Sequence, residues 1–183
     1  MSQPAIFLDR DGTLIEDMHY PRDPEKVRWI EGAKEALLEF QKLGFLLFVV
    51  SNQSGVGRGI IKDHEFKQVH DRVCYLLKEA GIEIREFAYC LHKPEDQCEC
   101  RKPQTKLIRD LSKTHQIDLR HSYTIGDKWT DVLLGMRVGA TGILLSSKTP
   151  EPPPSELENK SHVVLSHWLE ITRFVKASHL KSW

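Results

Sequence analysis

The sequence predicts an α/β fold of three layers, a Rossmann-like arrangement in which helices cover both faces of a mostly parallel central sheet. Short apolar runs typical of strands alternate with segments of helical periodicity, and this alternation implies right-handed crossovers between parallel strands. The run from Phe45 to Val50 is continuously apolar, which is typical of a strand covered on both faces. No stretch between the predicted elements is long enough to form a large cap domain over the sheet.

Each element is predicted from its own pattern. The helix at 32–43 carries apolar residues at helical spacing and ends at Gly44, a residue favoured just after a helix C-terminus. A glycine-rich loop at 51–59 separates the second strand from a helix that Asp63 can cap. We predict strands at 5–8, 45–50, 83–89, 122–125 and 141–145, with a further segment at 162–165. We predict helices at 32–43, 63–81, 104–114, 130–139 and 167–175.

Length and composition limit the class of protein. The 183 residues suffice for one domain, which we expect to span residues 1–183. Because 26 basic residues balance 26 acidic ones, no broad surface field favours nucleic acid or an acidic membrane as a partner. The longest apolar run is too short to span a bilayer, and the N-terminus lacks a signal-like apolar stretch. We therefore expect a cytoplasmic protein, and we also expect a monomer.

Two carboxylates, Asp9 and Asp11, follow the first strand directly. In extended chain the side chains at i and i+2 project to the same face, so we expect the two acids to point together from the tip of the strand. Gly12 allows a sharp turn there, and the Thr13 hydroxyl is able to hold it. Two neighbouring acids repel each other unless a cation intervenes, and Mg²⁺ prefers such oxygen ligands. An ordinary Asp-Gly turn is the alternative.

Further polar clusters follow other predicted strands. The loop after Val50 offers the Ser51 hydroxyl and accessible backbone N–H groups that could cradle a phosphate. Asp127 supplies a third acid for the metal site, whereas Asp131 could instead interact with a helix dipole. Arg101 and Lys102 add two positive charges. Since ligands bind at the carboxyl ends of the strands in such sheets, these clusters predict an active site.

A second metal site is predicted in the loop at residues 90–100. Cys90, His92, Cys98 and Cys100 form a C-x-H-x5-C-x-C pattern, and three thiolates with one imidazole suit tetrahedral Zn²⁺. Four protein ligands leave no open position, so this zinc would be structural. Disulfide pairing is the alternative, but cysteines one residue apart are awkward partners. Cys74, among apolar helix residues, is interpreted as a core residue.

With these residues assembled, the chain over residues 5–145 resembles the haloacid dehalogenase superfamily of phosphotransferases. The four motifs of that superfamily occur in order as Asp9-Arg10-Asp11-Gly12-Thr13, Ser51-Asn52-Gln53, Lys102, and Gly126-Asp127 with Asp131. The Cys/His loop before Arg101-Lys102-Pro103 narrows the resemblance to two related groups. These are the D-glycero-D-manno-heptose-1,7-bisphosphate 7-phosphatases and the histidinol-phosphate phosphatases.

The resemblance implies a role for each matched position. Asp9 matches the nucleophile that forms an aspartyl-phosphate, and Asp11 matches the general acid that later activates water as a base. Mg²⁺ would be held by the Asp9 carboxylate, the Asp11 backbone carbonyl and Asp127. The positions that match substrate contacts are Asp17, Met18, His19, Tyr20, Ser51, Asn52, Gln53, Ser54, Arg101, Lys102 and Lys128.

The resemblance therefore implies a Mg²⁺-dependent phosphatase of a small phosphorylated substrate, with the 7-phosphate of heptose 1,7-bisphosphate favoured. Histidinol phosphate or another small phosphosugar is the alternative substrate. A zinc-stabilised binding module without catalysis is an alternative from another class, but it should lack Asp9 or Asp11. A DNA 3′-phosphatase would share the acids, yet it should bring a basic surface, which this neutral chain lacks.

Overall fold

Six parallel strands form the central sheet of the computed structural model, which describes residues 2–158 and 162–180. The order across the sheet is β3-β2-β1-β4-β5-β6, so β1 lies in the middle between β2 and β4. The strands are β1 (Ala5–Leu8), β2 (Leu46–Asn52), β3 (Glu86–Cys90), β4 (Tyr123–Gly126), β5 (Thr141–Leu145) and β6 (Val163–Leu165). The predicted parallel sheet is confirmed.

The register brings the ends of the central strands to one edge. Leu8 at the end of β1 lies opposite Val49 of β2 and Ile125 of β4. The Asp9 N–H continues the ladder by donating to the Ile125 carbonyl at 2.9 Å. Because all three strands run in the same direction, the residues that follow them emerge side by side.

Helices cover both faces of the sheet. The helices are α1 (Ala33–Lys42), α2 (Ser54–Gly57), α3 (Asp63–Glu79), α4 (Lys106–His115), α5 (Trp129–Val138) and α6 (Trp168–Leu180). Ile6 and Leu8 of β1 face a core shared with α1, α3 and α6, whereas Ala5 and Phe7 face one shared with α4 and α5. This alternation follows from the two-residue period of a strand, and it confirms the three predicted layers.

The structure differs most from the prediction in three places. The glycine-rich loop contains the short helix α2, which sequence patterns miss because glycine disfavours helix. Its Gly57 N–H donates to the Leu91 carbonyl at 3.0 Å, so the glycine serves a close approach to the Cys/His loop. Helix α6 continues past its last buried residue, Val175, to Leu180. Strand β3 begins at Glu86, later than predicted.

The turn after β1 is held by the backbone and not by the Thr13 hydroxyl, which corrects the sequence prediction. The Leu14 N–H donates to the Arg10 carbonyl at 2.9 Å, and the Gly12 N–H donates to the Ile15 carbonyl at 2.8 Å. The Thr13 hydroxyl is buried and has no hydrogen-bond partner among the residues that the structure describes.

Over the same described ranges, no helix combines the length and apolarity needed to cross a membrane.

Candidate active site

The polar clusters predicted after four strands lie at the same edge of the sheet. Asp9 follows β1, Ser51 and Asn52 end β2, Cys90 ends β3 and Asp127 follows β4. This placement is a direct result of the parallel topology, because every β-strand presents its carboxyl end to that edge.

Lys102 lies between the carboxylates of Asp9 and Asp131 at this edge. Its Nζ donates to Asp9 Oδ1 at 2.8 Å, to Asp131 Oδ1 at 2.6 Å and to the Val50 carbonyl at 2.8 Å. The three charged side chains are almost fully buried, with exposed fractions of 3% for Lys102, 7% for Asp9 and 4% for Asp131. An ammonium group has three N–H donors, so these contacts fix both its position and its direction.

Burial and pairing set the protonation of these groups. Burial alone raises the pKa of Asp9, but the Lys102 ammonium and the Ser51 hydroxyl outweigh it and hold the pKa below its ordinary value. Burial alone lowers the pKa of Lys102, and the two carboxylates reverse this and raise it. Burial raises the pKa of Asp131. A charged Lys102 beside an ionised Asp9 is the state that these directions favour, and an ionised Asp9 is able to act as a nucleophile.

Asp127 completes a group of acids. Ligand oxygens of Asp9, Asp127 and Asp131 lie within 4.8 Å of one another. Burial, followed by the charge of Asp9, raises the pKa of Asp127 to about 7 even though Lys128 opposes the shift. Asp127 Oδ1 is buried without a hydrogen-bond partner among the described residues. An orphaned carboxylate oxygen among neighbouring acids fits a hard divalent cation such as Mg²⁺.

Two glycines allow these acids to approach the backbone. Gly12 has a φ of +76°, and a Cβ atom there would clash with the Asp127 carboxylate. A Cβ atom on Gly126 would clash with the Asp131 carboxylate. Only a residue without a side chain leaves room for the acids at these two positions.

The Asp11 side chain turns to a different set of partners from Asp9. Its carboxylate accepts hydrogen bonds from Arg10 and Gln53, with Gln53 Nε2 at 2.6 Å from Oδ2. The carboxylate is not in the acid group formed by Asp9, Asp127 and Asp131 among the described residues. Asp9 and Asp11 therefore have different hydrogen-bond partners, and the expectation that the two acids point together stays a prediction.

Asn52 and Gln53, which were predicted to contact substrate, use their amide groups within the protein. Asn52 Nδ2 donates to the Lys102 carbonyl at 3.2 Å, and the Lys102 N–H donates to Asn52 Oδ1 at 2.9 Å. Gln53 Nε2 also donates to Ser51 Oγ at 3.0 Å. Both residues line the pocket described next, so a direct contact with substrate stays a prediction.

A pocket of about 430 Å³ opens beside Asp11 and Lys102. Its described lining residues include Arg101, Lys128 and Ser54 together with Asp17, His19 and Tyr20 from the loop after β1. Met18 packs against the hydrophobic core instead. A larger cavity of about 840 Å³ is lined in part by Gly12 and Asp127, but neither Asp11 nor Lys102 is in its described lining. The smaller pocket is thus the candidate substrate pocket.

The four predicted zinc ligands converge on one point. Cys90 Sγ lies 3.0 Å from Cys100 Sγ and 3.5 Å from Cys98 Sγ, and His92 Nδ1 lies 3.2 Å from Cys100 Sγ. Zn–S bonds of about 2.3 Å in a tetrahedron place ligand sulfurs about 3.8 Å apart, so the cluster is close to that arrangement. Burial raises the pKa of Cys90 to about 12, whereas thiol hydrogen bonds outweigh burial and lower the pKa of Cys98 to about 7.

Sequence reasoning missed Arg10 and left the role of Asp131 open. Arg10 is fully buried and contacts Asp11 and Gln53. Asp131 accepts from the Lys128 N–H at 3.3 Å in the first turn of α5, and it also pairs with Lys102. The helix-end position of Asp131 could be read from the sequence, but its partner lies 29 positions away.

The family models and the curated relative that match this chain are described as phosphatases or hydrolases. A family model described as polynucleotide kinase 3 phosphatase matches residues 4–134, and one described as HAD-hydrolase-like matches residues 99–170. A D-glycero-beta-D-manno-heptose-1,7-bisphosphate 7-phosphatase of Photorhabdus laumondii is 32% identical over 94% of this chain and 95% of its own.

A longer relative and a solved structure are also similar. The histidine biosynthesis bifunctional protein HisB of Campylobacter jejuni is 36% identical over 87% of this chain, which corresponds to 45% of that protein. The crystal structure of a D,D-heptose 1,7-bisphosphate phosphatase from B. bronchiseptica, complexed with magnesium and phosphate, superposes with a TM-score of 0.81. It covers 96% of this chain and 99% of its own at 22% identity, so it shows the shared fold.

Proposed function

Because the chain belongs to the haloacid dehalogenase superfamily, in the group of the heptose-bisphosphate phosphatases, we propose that it is a Mg²⁺-dependent phosphatase of a small phosphorylated sugar. The proposed reaction removes the 7-phosphate of D-glycero-D-manno-heptose 1,7-bisphosphate through an aspartyl-phosphate on Asp9. The observation that carries the proposal is the buried Asp9–Lys102–Asp131 arrangement next to the free oxygen of Asp127.

The Asp9 carboxylate, the Asp11 backbone carbonyl and Asp127 would hold the magnesium ion. When bound, Mg²⁺ screens the repulsion between the attacking carboxylate and the phosphate dianion. The Asp127 oxygen that lacks a protein partner supports this assignment.

Side chains of the protein carry out the phosphoryl transfer and the proton transfers. An Asp9 oxygen attacks phosphorus, the bond between phosphorus and the sugar oxygen breaks, and Asp11 donates a proton to the departing oxygen. Water then attacks the phosphorus of the aspartyl-phosphate, Asp11 accepts a proton from that water, and the bond between phosphorus and the Asp9 oxygen breaks. This step releases inorganic phosphate and restores the Asp9 carboxylate. The Lys102 ammonium and the Ser51 hydroxyl stabilise the charge on the transferring phosphoryl oxygens.

The charge of the pocket favours a substrate with two phosphates. Arg101 and Lys128 line it in addition to Lys102, so cations remain for a second phosphate after Lys102 contacts the first. Histidinol phosphate, the alternative that similarity to a histidine biosynthesis protein supports, has no second phosphate to contact Arg101 and Lys128, and its amine would have to pair with an acid of the lining such as Asp17. Arg58 is not in the described lining and lies 3.6 Å from Glu95.

We also propose that the Cys/His cluster holds a structural Zn²⁺ ion and that the enzyme acts as a cytoplasmic monomer without nucleic acid or membrane. The convergence of Cys90, His92, Cys98 and Cys100 supports zinc. Free thiols, which these cysteines are in the structure, are typical of a reducing compartment.

Phosphate release from heptose 1,7-bisphosphate and from histidinol phosphate, measured with Mg²⁺ at equal enzyme concentration, tests the proposal. We expect kcat/KM for the bisphosphate to be higher by at least about 100-fold, since losing the charge-assisted hydrogen bonds to a second phosphate costs about 3 kcal/mol. Asp9→Asn should abolish release of both, because the amide is not a nucleophile. Higher activity with histidinol phosphate, or an active Asp9→Asn protein, would contradict it.

A further inference from the structure

The guanidinium group of Arg10 lies completely inside the protein, next to Asp11. Arg10 has an exposed fraction of 0%. Its Nε donates to Asp11 Oδ1 at 3.2 Å, and its Nη2 donates to Asp11 Oδ2 at 2.9 Å. This two-point contact fixes the plane of the carboxylate as well as its position, which a single ammonium contact would not do.

Gln53, which directly follows β2, completes this contact. Its Oε1 accepts from Arg10 Nη2 at 2.9 Å, and its Nε2 donates to Asp11 Oδ2 at 2.6 Å. With Nε2 also donating to Ser51 Oγ, the amide has a defined orientation. The side chain of Gln53 therefore links the Asp11 carboxylate to a phosphate-binding position.

The far side of Arg10 is closed by aromatic rings. The guanidinium carbon lies 5.8 Å from the ring centre of Phe66 on α3 and 5.8 Å from that of Tyr89 on β3. The Tyr89 hydroxyl lies 3.0 Å from His70 Nδ1. Elements remote from the chemistry thus hold the guanidinium in place, and cation–π contacts offset part of its burial.

One edge of Asp11 remains available to substrate. Its side chain is 16% exposed, and it lines the pocket of about 430 Å³. The donors from Arg10 and Gln53 therefore hold the carboxylate from the protein side while its open edge faces the pocket.

We infer that Arg10 and Gln53 are positioning residues that aim the Asp11 carboxylate for proton transfer in both half-reactions. The inference rests on the proposed function, in which Asp11 protonates the departing sugar oxygen and then deprotonates water. A purely structural role for the two residues would affect every substrate equally, whereas a positioning role would not. The leaving group therefore separates the two roles.

The experiment compares heptose 1,7-bisphosphate, whose sugar oxygen needs a proton to depart, with 2,4-dinitrophenyl phosphate, whose phenolate does not. The variants are Arg10→Lys, which keeps the charge and loses the two-point contact, and Gln53→Met, which keeps the shape and loses the amide. We expect kcat with the sugar to fall by about 100-fold, the range of general acid catalysis. In Arg10→Lys the burst of dinitrophenolate, which reports Asp9 phosphorylation alone, should stay within about threefold of wild type, while steady-state turnover of the same compound should fall because water attack needs Asp11. In Gln53→Met, which also loses the hydrogen bond to Ser51, the burst should fall less than sugar turnover does.

Arg109→Lys and Gln68→Met are the matched controls, because both residues are exposed on helices and lie outside the pocket. A variant that does not fold is identified by its zinc content and its thermal unfolding. The remaining variant then tests the inference by itself. Equal losses of the burst and of sugar turnover, or no loss in either variant, would overturn the inference. Inactivity of the wild-type protein with all phosphate esters would instead contradict the proposed function.

Discussion

Asp127 carries a buried carboxylate oxygen, Oδ1, without a hydrogen-bond partner among the described residues, and burial raises the pKa of this side chain to about 7. An unfolded aspartate ionises near pH 3.9. Between these two values the folded protein without Mg²⁺ binds more protons than the unfolded chain, so its stability falls as pH rises from about 4 to about 7. Mg²⁺ should remove this penalty by binding the ionised form.

Asp127→Asn should therefore stabilise the protein at neutral pH when Mg²⁺ is absent. We expect the free energy of unfolding to rise by about 1–3 kcal/mol near pH 8, a reduced value because the side chain is only partly buried, and to be unchanged near pH 4. Urea unfolding at both pH values, with and without Mg²⁺, measures this. Added Mg²⁺ should stabilise wild type and not the variant, and equal stabilisation of both would contradict the assignment of Asp127 as a ligand.

Gly12→Ala tests the close approach of Asp127 to the turn after β1. The new methyl group would occupy the space of the Asp127 carboxylate, so we expect Mg²⁺ affinity to fall by about tenfold or more. Gly81→Ala is the matched control, because Gly81 has a similar φ of +72° but no atom within 4 Å of the added Cβ. Both variants carry the backbone strain of about 1 kcal/mol. Mg²⁺ titration of activity separates them, and equal titration curves would count against the steric argument.

At the scale of elements, the Cys/His loop contacts the segment that directly follows it, which carries the cationic side chains of Arg101 and Lys102. Arg101 Nη1 donates to the His92 carbonyl at 3.5 Å, and Cys100 directly precedes Arg101 and Lys102. A loop of this kind has little apolar surface of its own, so a bound ion would supply much of its order.

Cys100→Ser should release zinc and loosen Arg101. We expect less than one zinc per protein, a KM for the bisphosphate raised by about tenfold, and a smaller change in kcat, because a recognition cation is displaced rather than Asp9. Metal analysis and steady-state kinetics measure the two effects. Cys74→Ser, outside the cluster, is the control and should retain zinc, and a zinc-free wild-type protein would end the proposal for this site.

The sequence predicted the order of elements and the edge at which the chemistry lies, because apolar runs and the parallel topology determine both. It did not predict contacts that depend on distant parts of the chain. Lys102 could be named from its motif, yet its pairing with Asp131 and with the Val50 carbonyl needs the folded sheet. The contacts of Gln53 with Arg10 and Asp11 were also not predicted, since a short polar motif does not show which way an amide faces.

At the scale of the whole molecule, a hydrogen bond links helix α6 to the turn after β1. Trp168 at the start of α6 is 1% exposed, and its Nε1 donates to the Thr13 carbonyl at 3.0 Å across 155 positions of sequence. The C-terminal part of the fold therefore supports the turn that carries Asp11, although the two are far apart in sequence.

Trp168→Phe should destabilise the protein by about 1–3 kcal/mol, because it leaves a buried carbonyl without a donor. Trp129→Phe also removes an indole hydrogen bond, from Nε1 to the Glu151 carbonyl at 2.9 Å. That bond is exposed, so we expect a loss below about 1 kcal/mol. Chemical unfolding of both variants measures the difference, and equal losses would show that the Thr13 contact contributes little.

The reacting groups are confined to one edge of the sheet, so the turns at the opposite rim lie away from the chemistry. The turns at Gly44 and Gly81 lead into the amino ends of β2 and β3, and an added Cβ would meet no atom within 4 Å at either glycine. Peptide tags or reporter segments grafted at these two turns should leave turnover intact, which makes this rim the practical attachment point for immobilising the enzyme.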